Sequence, residues 1–161
     1  MVAIGDVDEA NSAIGVAIAA LAEDHAPLAA HLRLVQNEMF DLGADIATPF
    51  GSEFEQHALR IVPSQVTRIE TEIDAMNADL APLTSFILPG GSAGVASLHL
   101  ARAIVRRAER AAVALAAEER VGEPALAYLN RLSDHLFVAA RWLAAAEGGD
   151  VLWQAGATRN Q

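Results

Sequence analysis

The sequence contains no cysteine. Disulfides, zinc held by thiolates and a thiol nucleophile are therefore excluded. Lysine is absent as well, since all eleven basic residues are arginine. That rules out a Schiff-base lysine or a P-loop lysine within these 161 residues. Aromatic residues amount to only 5%, while the 53% that is hydrophobic is rich in alanine, which favours helix. No run approaches the roughly 18 uncharged apolar residues of a membrane span, and no stretch reads as an export signal. A formal charge of −10 argues against a general nucleic-acid or anionic-membrane surface. The expectation is a soluble, cytoplasmic, all-α protein: one domain over residues 1–161 with a tail from 148, and neither nucleic acid nor membrane as partner.

Apolar periodicity predicts five helices. Val7, Ala10, Ile14, Ala17 and Leu21 alternate steps of three and four and predict a helix from about Val7 to Ala22. Asp6 and Glu9 stand at capping-box spacing before it, and Gly15 inside it marks a close helix crossing. Leu28, Leu32, Val35, Met39, Leu42 and Ile46 form the stripe of a second helix from Pro27 to Ala47, stopped by Thr48-Pro49. A third starts at Pro63 and carries Val66, Ile69, Ile73, Met76 and Leu80 up to Pro82. A fourth starts after Ser92, a plausible N-cap, and runs to about Glu119. A fifth opens at Pro124 and ends at Gly148-Gly149. Short connections and these stripes predict an up-and-down bundle with near-parallel or antiparallel packing. The tail shows no periodicity.

Positive charge is concentrated in one place. Arg102, Arg106, Arg107 and Arg110 fall within nine residues, with Glu109 as the only acid between Phe86 and Arg110. Like charges four residues apart repel, so this cluster needs open water or an anion. Arg102, Arg106, Glu109 and Arg110 share one helical face, and on the fifth helix Asn130, Asp134, Phe137, Val138 and Arg141 share another. The first helix contributes an acidic start: Asp6, Asp8 and Glu9. Guanidinium forks match phosphate oxygens two at a time, so stacking these faces would make a polyphosphate site without a P-loop. The plainer reading is a solvated arginine face. A ferritin-like di-metal site is disfavoured, because no Glu has a His three residues later. The five histidines are scattered and read as structural or surface residues. No nucleophile elbow supports Ser-His-Asp catalysis.

Five stretches in order, GDVDEANSAIG at 5–15, LVQNEMFDLGADIATP at 34–49, FILPGG at 86–91, ARAIVRRAER at 101–110 and YLNRLSDHLFVAAR at 128–141, resemble the PduO-type ATP:cob(I)alamin adenosyltransferases. The resemblance reaches to about Arg141. It implies a ferritin-like five-helix bundle assembled as a homotrimer with sites between subunits. It also implies transfer of the 5′-deoxyadenosyl group of ATP, carried with Mg2+, to the cobalt of cob(I)alamin. A cob(II)alamin reductase and adenosylcobalamin-dependent enzymes would be transient partners. By position, Arg106, Arg107, Glu109, Arg110 and Asn130 would bind ATP, with Arg106 the main phosphate partner. Arg102 would pair with Asp8 of a neighbouring subunit. Phe86 would wedge under the corrin ring and displace its lower axial base, and Phe137 would line the corrin pocket. No metal-ligating residue is implied.

The family's N-terminal glycine- and threonine-rich segment, which wraps the ATP phosphates and supplies a lysine, has no counterpart in this sequence, and Asp6 stands where relatives carry threonine. Two readings follow: the sequence is part of a longer protein, or it begins at an internal methionine and binds ATP poorly. A non-catalytic carrier or chaperone of adenosylcobalamin is the alternative function. A plain helical assembly module is the third.

Overall fold

The computed structural model describes residues 1–159; Asn160 and Gln161, at the end of the expected tail, lie outside the described residues. Five long helices make up the fold: α1 (Val2–Ala19), α2 (Ala26–Ala47), α3 (Pro63–Asn77), α4 (Ala93–Ala116) and α5 (Glu123–Ala146). The predicted stripes of α1 and α2 are largely buried, whereas in α3 only Ile69 is buried and Val66, Ile73 and Met76 are partly so. Val7, Ala10, Ile14 and Ala17 of α1 meet Leu32, Val35, Met39 and Leu42 of α2, and all are buried. α1 also packs on α4, α4 on α5, and α5 on α3. None of the helices is long and apolar enough to cross a membrane, among the described residues.

Gly15 does mark a close approach. A Cβ there would stand 3.1 Å from the Gln36 side-chain nitrogen. Across the same contact the Asn11 amide donates to the Gln36 carbonyl at 3.1 Å, and Gln36 returns a bond to the Asn11 carbonyl at 3.2 Å.

Four boundaries differ from expectation. α1 ends at Ala19, three residues before Ala22, and a last turn takes over in which the Leu21 amide donates to the Ile18 carbonyl. α1 begins at Val2, five residues early, and has no side-chain cap. Ala3 is buried and extends the stripe backwards from Val7 by one turn, so Asp6 and Glu9 lie inside the helix and serve other partners. α3 stops at Asn77 instead of Leu80, because its end buries little and a single turn from Asn77 to Leu80 takes over. α4 stops at Ala116, with turns carrying the chain to Glu119. Its start is as expected: the Val95 amide donates to the Ser92 hydroxyl at 3.3 Å.

A buried polar chain ties α2, α3 and α5. The Tyr128 hydroxyl donates to Glu38 at 2.6 Å, Arg68 bridges Glu38 and Glu72, and Glu72 accepts from fully buried His135 at 2.8 Å. Burial would raise the Glu72 carboxyl, but His135 and Arg68 together outweigh it and hold the group below its ordinary 4.5. The stability that Glu72 supplies is therefore complete above pH 4.5 and is lost as pH falls through the lowered folded value. Glu72→Gln is expected to cost about 3 kcal/mol at pH 7 by leaving Arg68 and His135 without their shared partner. Its denaturation midpoint should then change less between pH 6 and pH 3 than that of the parent, as measured by circular dichroism.

Candidate active site

The arginines of α4 do not act as one block. Successive side chains on a helix point about 100° apart, so Arg106 and Arg107 face different neighbours. Arg107 turns to α1, where it pairs with Asp6 at 3.4 Å and with Glu9. This is the use of the two acids that a helix cap did not need. Arg106 turns toward α5 and pairs with Glu109 at 3.0 Å. The other Glu109 oxygen accepts from Asn130 at 2.8 Å. Glu109 is thus a joint between the arginine face of α4 and the LNRLSD stretch of α5. As an anion among arginines it orients Arg106 and Asn130 rather than attracting phosphate. Arg110 reaches back to the Arg106 carbonyl at 3.1 Å. Arg102 and Arg110 have no carboxylate partner among the described residues.

Arg102, Arg106, Ser133, Asp134 and Phe137 line a polar hollow of about 210 Å3. It adjoins a larger, mainly apolar cleft of about 650 Å3, whose walls include Phe86, Pro89, His99, Arg102, Phe137 and Trp153. Arg102 and Phe137 belong to both, and the Arg102 guanidinium lies 5.5 Å from the centre of the Phe137 ring. His99 meets the same ring edge-on at 6.2 Å. Burial, and then the charge of Arg102, push the His99 imidazole below its ordinary value, with Asp150 acting in the opposite sense. The cationic form of His99 is thus disfavoured, and Arg102 is the basic group that the cleft and the hollow share.

Phe86 stands at the mouth of this cleft and is 78% exposed. The Pro89-Gly90-Gly91 break carries the chain from Phe86 into α4, and Gly91 has φ of +122°, where a side chain would be strained. Asp8 lies elsewhere, in a groove of about 580 Å3 between α1 and α2 that also holds Met39 and the 72% exposed Phe40. It makes no ion pair among the described residues.

The family model for cobalamin adenosyltransferase matches residues 1–143. The chain belongs to that family. A corrinoid adenosyltransferase from Mycobacterium tuberculosis is 48% identical over 161 residues, covering 99% of this chain and 82% of that protein. One from Bacillus subtilis is 45% identical over 159 residues, covering 95% of this chain and 79% of the relative. Among solved structures, a variant PduO-type ATP:corrinoid adenosyltransferase from Lactobacillus reuteri complexed with cobalamin and ATP superposes with a TM-score of 0.87 at 35% identity, covering 94% of this chain and 84% of the other. The five-helix architecture is the adenosyltransferase fold.

Against the sequence reading, the structure gathers Arg102, Arg106, Glu109, Asn130, Asp134 and Phe137 around one double hollow. It separates Arg107, which faces the acids of α1, and Arg141. The latter shares a helical face with Asn130 but lies buried near the opposite end of α5, donating to Asp150 and to the Ala81 carbonyl. Val138 is buried and takes no part. Two cleft residues, His99 and Trp153, had not been singled out. His99 precedes Arg102 by three residues and so shares its face, a signal available in the sequence. Trp153 had none, because its position depends on how the tail folds back.

Proposed function

We propose that this protein transfers the 5′-deoxyadenosyl group of ATP to the cobalt of cob(I)alamin, forming adenosylcobalamin and releasing triphosphate. The observation that carries this reading is the junction at Arg102 and Phe137. A hollow lined by two arginines and suited to phosphates shares Arg102 and Phe137 with a mainly apolar cleft of about 650 Å3 suited to a flat macrocycle. One site thus offers recognition of both substrates in contact. In the reaction the electron pair of Co(I) forms the Co–C5′ bond, the C5′–O bond breaks, and the leaving triphosphate keeps the bonding pair. Cobalamin carries the difficult chemistry, and the protein supplies geometry and charge.

Arg106, held by Glu109, and Arg110 would meet the charge that grows on the triphosphate. Asn130, fixed by the other Glu109 oxygen, would bind ATP beside them. Arg107 would join by exchanging a carboxylate of α1 for a phosphate oxygen. Phe86 would press on the lower corrin face and exclude its axial base, with Phe137 as the inner wall. Mg2+ would arrive on the ATP phosphates.

The reading includes a homotrimer in which Asp8 of one subunit meets Arg102 of the next. Its support is that neither group has an ion-pair partner among the described residues and that Asp8 sits in an apolar groove beside exposed Phe40. A reductase that delivers Co(I) and enzymes that consume adenosylcobalamin would be transient partners. Family membership favours transfer over mere carriage. The test is ATP-dependent conversion of cob(I)alamin to adenosylcobalamin, followed by its absorption spectrum. Tight adenosylcobalamin binding without conversion under strong reduction would establish the carrier instead.

A further inference from the structure

We infer that Arg141 is a positioning residue of the corrin cleft, acting through Asp150 and the Ala81 carbonyl to hold the Phe86 segment and the C-terminal tail together. The inference rests on the reading that Phe86 acts on the corrin.

Arg141 is 9% exposed, and a buried guanidinium requires partners. Its Nε donates to Asp150 Oδ2 at 3.1 Å, and its terminal Nη2 donates to the Ala81 carbonyl at 2.9 Å. Ala81 begins the linker that leads to Phe86. Asp150 begins the tail that follows α5. One guanidinium therefore pins the base of both segments. Gly148 and Gly149, with φ of +112° and +104°, make the reversal that returns Asp150 toward Arg141.

Beyond these anchor points, residues 85–88 and 151–153 pair antiparallel. The Leu88 amide donates to the Val151 carbonyl at 2.8 Å, the Trp153 amide to the Phe86 carbonyl at 2.8 Å, and the Ser85 hydroxyl to the Trp153 carbonyl at 2.9 Å. Ile87 and Leu152 form the bridge between them. The Trp153 ring meets Phe86 edge-on at 5.9 Å. No other aromatic ring pairs with Phe86 among the described residues, so its placement depends on the tail. A two-stranded pairing of this length is not stable by itself in water; the buried Arg141–Asp150 pair supplies the missing constraint. The side chains of Arg141 and Asp150 are 10% and 14% exposed, so removing either leaves the other charge buried without its partner.

The test uses the full chain with two substitutions. Asp150→Ala lies outside the helices and leaves the bundle core intact; Arg141→Met fills the same volume without the charge. Chymotryptic cleavage after Trp153 reports release of the tail without reference to activity. Both variants are expected to be cut about tenfold faster than the parent, as loss of a charged hydrogen bond predicts. Conversion beginning from cob(II)alamin should fall by a similar factor. Conversion from pre-reduced cob(I)alamin should fall less, and KM for ATP should not move.

Unchanged protection of Trp153 in Asp150→Ala would overturn the proposal. So would release of the tail with an unchanged rate from cob(II)alamin. Phe86→Ala serves as the control: if it loses activity equally from both cobalt states, the reading of Phe86 fails. If it selectively loses the cob(II)alamin reaction and Asp150→Ala does not, only the Arg141 proposal fails.

Discussion

Arg106→Ala is expected to lower kcat for adenosyl transfer by a factor on the order of 100 to 1000, the effect of removing one charged donor from a site where anionic charge develops. Arg106 is suited to that part by placement. Its side chain is 50% exposed and lines the hollow beside Arg102, so it can reach a ligand, and Glu109 at 3.0 Å limits where its fork points. Its exposure also means that truncation leaves the core unchanged, so the helical circular-dichroism signal should be retained. Charge on the triphosphate grows as the C5′–O bond breaks. The loss should therefore appear in kcat as well as in KM for ATP. Arg106→Lys, which keeps a point charge but not the fork, should fall between the two. A variant with normal kcat and only a raised KM would reduce Arg106 to uniform phosphate binding.

Phe86→Ala should divide the reaction by cobalt oxidation state. Starting from cob(II)alamin with a reductant, the rate is expected to fall about ten- to a hundredfold, the scale of one lost aromatic contact against the corrin. Starting from pre-reduced cob(I)alamin, it should fall much less. The reason is that removing the lower axial base makes Co(II) easier to reduce, whereas Co(I) has already passed that step. Folding stability should change by no more than about 0.5 kcal/mol, as for a surface substitution, since Phe86 is 78% exposed and its ring packs against Trp153. Equal losses from both starting states would remove the wedge role.

The two residues illustrate what could be read in advance. The number and phase of the helices were legible because they follow a local period: Val7 to Ala17 and Leu28 to Leu42 bury the side chains that their spacing selects. The arginine cluster was legible as an excess of charge. Its division was not. Arg106 and Arg107 are adjacent in sequence, yet one pairs with Glu109 on its own helix while the other pairs with Asp6 and Glu9 on α1. Only the packing of α1 against α4 settles which is which. The acids at 6 and 9 looked like a helix start for the same reason: capping-box spacing is local, and the burial of Ala3 that prolongs the helix is not.

By itself, then, the sequence determined an all-helical chain without thiol or lysine chemistry, the buried stripes of α1 and α2, and a concentration of guanidinium groups behind a Pro-Gly-Gly break. These are consequences of residue type and of contacts within one or two turns. The tertiary structure decided the rest. It set Glu109 between Arg106 and Asn130, placed the arginine-lined hollow beside the cleft with Arg102 and Phe137 in both, and brought the tail beside Phe86. Those features rest on bonds between residues far apart in the chain, from Asn130 to Glu109 across 21 positions, from Arg141 to Ala81 across 60 and from Ser85 to Trp153 across 68. Such contacts form only when the helices have packed, and no local period records them.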